Sequence, residues 1–264
     1  MNKRIAITRI NKKFESIDKS FALFVQEYGG EMISTLLPSS GFTLKNADYL
    51  FRERNVIVEL KSFMKDHFQS EKDYERIESR ICKATETGFL SEHELDIWRN
   101  TGEPSEKIRK LILSGLQKTT EGSLRHAKHQ IEEIRRALNI PDAIGFVLFS
   151  NERNSFPPSI HEEIIVDLID RRYRNVIDGF VYFSTERLMK VDTEINSCIY
   201  WQQYDWIKEK KLQKSISDFI DDIGRKWIDF VCNHTGGSPK LIRHSDAENV
   251  AEQMNKAKYV NGAG

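Results

Sequence analysis

Short runs of strand-forming residues alternate along this chain with stretches whose apolar residues recur at helical spacing, and this alternation most narrows the folds open to it. Strands are predicted at 47–51, 56–63, 143–149, 178–184 and 197–202. Helices are predicted at 17–25, resuming at 31–37 beyond Gly29 and Gly30, and at 73–84, 92–98, 123–138, 159–171 and 212–231. In the last of these Leu212, Ile216, Phe219, Ile220, Ile223, Trp227 and Val231 form one apolar stripe. Strands interleaved with helices imply an α/β sheet covered on both faces. The expected organisation is one domain over residues 1–235, with a charged helical insertion at 64–118 and a polar tail at 236–264 that carries a short helix near 247–257.

Composition sets the outer limits. With 264 residues, 39% of them hydrophobic, the chain can bury a substantial core. Lys+Arg and Asp+Glu both number 40, so any nucleic-acid surface must be a local patch. Cys82, Cys198 and Cys232 are far apart and form no CxxC pair, which speaks against a disulfide framework or zinc ribbon and fits a reducing cytoplasm. Residues 1–13 lack an uninterrupted apolar core, and no run of about 18 apolar residues occurs, so neither a standard export signal nor a membrane span is expected.

The chemistry concentrates in 47–63. Along the strand 56–63 the period of two puts Ile57, Glu59 and Lys61 on one face and Val56, Val58 and Leu60 on the other, so a carboxylate and an ammonium project together. The polar stretch Arg52, Glu53, Arg54, Asn55 reads as the turn of a hairpin. A two- or four-residue loop places Asp48 directly opposite Glu59, whereas a three-residue loop shifts the register by one. Facing carboxylates have Cβ atoms roughly 4.5 to 5.5 Å apart and repel unless a proton or a cation lies between them. Oxygen-only ligation with open positions suits Mg²⁺ or Mn²⁺ and leaves room for a phosphate.

The string Asp48, then Glu59, Leu60 and Lys61, preceded by a helix and followed by a helix and a strand, resembles the PD-(D/E)XK nuclease superfamily over residues 17–149. The resemblance implies a restriction-endonuclease-like three-layer sandwich, a central mixed β-sheet flanked by helices. Residues 123–138 become the crossover helix and 143–149 the parallel strand it reaches, and 42–44 is the candidate for the first strand of the meander. Ala47 stands where the family name has proline. Carried over, the resemblance makes Asp48 and Glu59 metal ligands with the Leu60 carbonyl as a third, and makes Lys61 the group that orients or helps deprotonate the attacking water. Some relatives add a first-helix carboxylate and a crossover-helix glutamine, for which Glu31 (with Glu15 and Glu27 as competitors) and Gln130 are the candidates. Arg125 and Lys128, on the same helix as Gln130, are candidate phosphate contacts. The implied activity is Mg²⁺-dependent (or Mn²⁺-dependent) hydrolysis of DNA phosphodiesters, in a homodimer or larger complex, with prokaryotic defence or DNA processing as the analogous setting. The alternatives are a non-catalytic nuclease-fold scaffold or DNA-binding subunit, and an RNA-directed nuclease.

Other motifs carry less. Glu209, Lys210 and Lys211 repeat the acid-x-lysine spacing, but no apolar strand precedes them. His126 and His129 have no third ligand at zinc spacing, and Cys232 with His234 reads as packing and a polar cap. No P-loop, GxGxxG or nucleophile elbow occurs, so no nucleotide cofactor is implied. Basic clusters at 107–110, 135–136, 171–174 and 208–211 read individually as solvated faces, and Tyr200, Trp201, Tyr204 and Trp206 read as core or interface before base-stacking groups.

Overall fold

A computed structural model describes residues 3–8, 16–37, 47–63, 71–101, 105–151, 158–191, 194–237 and 240–241. In chain order the elements are β1 (Lys3–Thr8), α1 (Ile17–Glu27), β2 (Glu31–Met32), α2 (Ile33–Leu36), β3 (Tyr49–Phe51), β4 (Val56–Phe63), α3 (Glu71–Glu86), α4 (Glu92–Thr101), α5 (Glu106–Ala137), β5 (Ile144–Asn151), α6 (Pro158–Leu168), β6 (Gly179–Val191), β7 (Glu194–Asp205), α7 (Lys210–Thr235) and β8 (Lys240–Leu241). The strands form one sheet ordered β2-β3-β4-β5-β6-β7-β1-β8. Strands β4, β5 and β6 run parallel, and the remaining neighbours pair antiparallel.

Helices cover both faces. On one face Leu124, Ala127, Ile131 and Ile134 of α5 and Ile165 of α6 pack on Ile57, Val147, Phe149 and Tyr182. On the other, Phe21 and Phe24 of α1 and Ile220 and Trp227 of α7 pack on Val56, Val58, Leu148 and Phe183. Each such side chain withdrawn from water contributes on the order of 2 kcal/mol. The two apolar sets of β4 separate as its alternation requires, and this leaves Glu59 and Lys61 on the α5 and α6 side.

Several elements differ from the sequence expectation. β1 was not foreseen; it pairs with β7 from Lys3 opposite Gln202 to Thr8 opposite Ser197. Beyond Gly30 the chain forms β2 and the single turn α2 where a resumed helix was expected, so β2, paired to β3, supplies the strand beside the hairpin. The alternative for that strand, 42–44, lies outside the described residues, as does the short helix at 247–257. The insertion boundary at 118 falls inside α5, because Leu116, Thr120 and Leu124 are all buried and carry the helix through the weak helix formers Thr119, Thr120 and Gly122. Sheet pairing also reaches past residue 235, through β8 to β1. Leu212 is 37% exposed, so the buried stripe of α7 begins at Ile216. Ile81, Leu90, Leu95 and Ile108 form a separate small core under α3, α4 and the start of α5. Among the described residues no helix is long and apolar enough to cross a membrane.

Candidate active site

The site is set by the turn between β3 and β4. Arg52–Arg54 form a 3₁₀ turn, and Asn55 closes it with φ 51°, a left-handed conformation that asparagine tolerates better than most residues. Four residues therefore connect the paired Phe51 and Val56, and Tyr49 falls opposite Val58. One step further along the same register sets Asp48 across from Glu59. This is the arrangement expected from a four-residue loop.

Asp48 and Glu59 are not satisfied in the same way. The backbone N–H of Leu60 donates to Asp48 Oδ2 at 2.7 Å. The N–H and C=O of one strand residue point to the same side, so the Leu60 carbonyl is turned towards Asp48 as well. Glu59 is 2% exposed. Its Oε1 accepts from the Lys61 ammonium; its buried Oε2 receives no N–H, and the protonated Glu59 carboxyl hydrogen-bonds the Asp48 carboxylate. Burial first, and the Asp48 charge second, push the Glu59 carboxyl up to about 8, against the opposing pull of Lys61. Burial also raises Asp48, while the Leu60 N–H and Lys61 lower it. Ionised together these buried acids repel each other and one ammonium only partly offsets them, so a proton held on Glu59 and hydrogen-bonded to Asp48 relieves the pair.

Lys61 reaches the crossover helix. Its Nζ donates to Gln130 Oε1 at 2.8 Å, so α5 fixes the ammonium from one side and Glu59 from the other. The structure thus brings Asp48, Glu59, Leu60, Lys61 and Gln130 together. Glu31 is not among them: from edge strand β2 it accepts from Arg52 Nε at 2.8 Å and Nη2 at 3.2 Å. Glu27 ends α1 beside Arg225 and Asp229, and Glu15 lies outside the described residues. Lys128 lies 3.7 Å from Glu132, and Arg125 is exposed and acts on the Tyr173 hydroxyl. Neither reaches the carboxylate pair by any described contact.

Sequence reasoning missed Asp18. Exposed in the first turn of α1, it adds to the negative field on Asp48 and on Tyr49. An acidic residue in a first helical turn was the only available signal, and it reads equally as support for the helix dipole. A polar network under α6 was also missed. Asn151 donates to the Tyr182 hydroxyl at 2.7 Å, His161 Nδ1 lies 2.7 Å from the same oxygen, and Tyr200 and Tyr204 donate to Glu162. The network places Tyr200 in the interior and Tyr204 half-buried beside it, stacked on Phe180 at 4.7 Å, and Trp201 packs on Phe183.

Most of the basic clusters are neutralised within the chain. Lys107 pairs with Glu94 at 3.2 Å, Arg109 with Glu163 at 3.3 Å and Lys110 with Glu106 at 3.8 Å. Arg135 pairs with Asp178 at 3.0 Å. Arg171, Arg172 and Arg174 pair with Asp167, Glu121 and Asp170. His126 and His129 are exposed, and His129 lies 3.8 Å from Glu132.

Among the described residues no three His, Cys, Asp or Glu side chains gather into a group able to hold a metal, so a zinc-type cage is not built here. The donor set at the hairpin is two carboxylates and a carbonyl, with one buried carboxylate oxygen that receives no N–H. That set fits a hard cation that keeps several waters, which needs only one or two protein carboxylates. Comparison with protein-family models, curated proteins and solved structures finds no match to this chain.

Proposed function

We propose that the chain is a metal-dependent nuclease of the PD-(D/E)XK type, with a restriction-endonuclease-like fold, that hydrolyses phosphodiester bonds of DNA. One observation carries the reading: Asp48 and Glu59 are forced together across a hairpin, and Lys61 beside them is tethered by Glu59 and Gln130. A purely structural strand gains nothing from two buried acids held face to face, which need a proton or a cation between them.

Asp48, Glu59 and the Leu60 carbonyl would hold Mg²⁺ or Mn²⁺. Such an ion, when bound, lowers the pKa of a coordinated water and neutralises charge on a phosphate. The protein's own groups do the rest. The Leu60 N–H fixes the Asp48 carboxylate, and the two tethers aim the Lys61 ammonium at the position where negative charge grows on the phosphate and the attacking oxygen. Gln130 orients Lys61 from the helix and so couples the crossover packing to the site.

The test is cleavage of supercoiled plasmid by purified protein in Mg²⁺, in Mn²⁺ and in EDTA, beside Glu59→Ala and Lys61→Ala. Nicking or linearisation that needs metal and disappears in both folded variants is expected. Wild-type cleavage by Lys61→Ala would refute the assignment, and metal-independent DNA binding without cleavage would favour the scaffold alternative. A matched RNA substrate separates the RNA-directed variant of the same chemistry.

A further inference from the structure

We infer that the start of α7 is a nucleic-acid docking surface distinct from the hairpin site, on which Lys208, Lys210, Lys211 and Lys214 contact the phosphate backbone. The inference takes only its choice of polyanion from the nuclease reading; the surface itself stands on the charges. All four lysines are exposed, and none lies within ion-pair distance of a carboxylate among the described residues. In this they differ from Lys107, Arg109 and Lys110 on α5 and from Arg171, Arg172 and Arg174 after α6, each paired with an acid of the same chain.

The local sequence works against the helix that carries them. The first turn of α7 contains no acidic residue, Lys210 and Lys211 stand in it, and the N-cap residue Glu209 makes no side-chain capping bond. Cations at this end oppose the helix dipole, and four of them within seven residues repel one another. Of the acids nearby, Asp205 is engaged by the Gln213 side-chain amide at 2.6 Å, and exposed Glu209 and Asp218 offset part of the charge without an ion pair to any of the four lysines among the described residues. In a chain with balanced charge whose other basic clusters are mostly paired internally, a run of exposed lysines outnumbering the acids beside it and held by none of them is where an external polyanion would supply charge.

The dimensions suit a backbone. From Lys208 to Lys214 the run extends roughly 9 Å at about 1.5 Å per residue, and one DNA strand presents a phosphate about every 3.4 Å, so about three phosphates lie within reach. α7 packs on the face of the sheet opposite α5, so these contacts are separate from the catalytic pair. They anchor a substrate without touching the scissile bond.

The experiment is fluorescence anisotropy with a short labelled DNA duplex in EDTA, where cleavage cannot intervene, across a series of salt concentrations. The variant combines Lys208→Ala, Lys210→Ala, Lys211→Ala and Lys214→Ala, all exposed positions, and its fold is checked by thermal melting. Binding at low salt should weaken tenfold or more, and the slope of log affinity against log salt should flatten by about two to three. Lys107→Ala with Lys110→Ala, at an internally paired cluster, should change neither. Unaltered affinity and slope in the quadruple variant would overturn the inference. Lysine-dependent capture of phosphatidylserine vesicles with no binding of the duplex would overturn it in favour of a lipid surface. Because the assay reads binding without metal, its failure is separable from failure of the nuclease reading, which Glu59→Ala tests through cleavage alone.

Discussion

Glu59 and Asp178 are both carboxylates drawn into the sheet, and burial raises both, yet their surroundings have opposite designs. Asp178 Oδ2 accepts from Arg135 at 3.0 Å and from the Gly145 N–H at 2.8 Å, so its charge is matched and the start of β5 is tied to the start of β6. Glu59 faces a second carboxylate, to which it can only hydrogen-bond by holding a proton, and shares one ammonium with Gln130. Burial alone therefore does not separate a structural acid from a reactive one. The separating feature is whether the fold supplies compensation, and at the hairpin it stops short.

That contrast can be broken most forcefully by mutation. Asp48→Ala or Glu59→Ala should reduce metal-dependent cleavage on the order of a thousandfold or more in protein that remains folded. Gln130→Ala should have a smaller effect on cleavage, about tenfold to a hundredfold, because Lys61 keeps its Glu59 tether; the measurement is the single-turnover rate beside Lys61→Ala. Asp178→Ala should show the reverse signature, a loss of about 1–3 kcal/mol in urea unfolding with cleavage per folded molecule retained, because Arg135 and the Gly145 N–H lose their acceptor.

The pH dependence of the metal-free protein sharpens the same comparison. Folded Glu59 holds a proton that the unfolded chain releases near the ordinary 4.5, so stability falls as pH rises through that value, by up to about 1.4 kcal/mol per pH unit, and levels off near 8, where the folded carboxyl also ionises. Glu59→Gln should flatten that slope in urea titrations between these values. Asp48 is raised by burial in the same direction, so the residual slope in this variant reports on Asp48. The smallest effect belongs to Glu31→Ala: an exposed pair with Arg52 should leave the urea midpoint essentially unchanged and cleavage at the wild-type rate.

Much of this site was legible because it is local. The period of two along β4 puts Asp48 opposite Glu59 for a two- or four-residue turn, which the 3₁₀ turn then supplies, and the apolar spacing of Ile131 and Ile134 orients the helix that carries Gln130. What was not legible depends on distant packing. Lys3–Thr8 mixes basic and apolar residues, and only its pairing along β7 makes it a strand. Glu31 looked like a helix residue because the turn at Gly29 and Gly30 re-aims the chain: Gly29 has φ 85°, and a Cβ on Gly30 would approach Val25 within 2.4 Å, so the chain enters an edge strand instead. The continuity of α5 likewise rests on the burial of Thr120 and Leu124, which offsets poor local propensity. The partners of the basic clusters were invisible for the same reason, since Arg109 meets Glu163 and Arg172 meets Glu121 only in the folded chain.

The central claim is that Asp48 and Glu59 are brought together to share a divalent cation. Calorimetric titration of Mn²⁺ into metal-free protein near neutral pH, repeated in buffers of different ionisation enthalpy, measures binding and the protons released with it. The account predicts binding coupled to release of about one proton, with both lost in Glu59→Gln. Binding that survives in Glu59→Gln, or a wild-type protein that takes up no metal while folded, would contradict it.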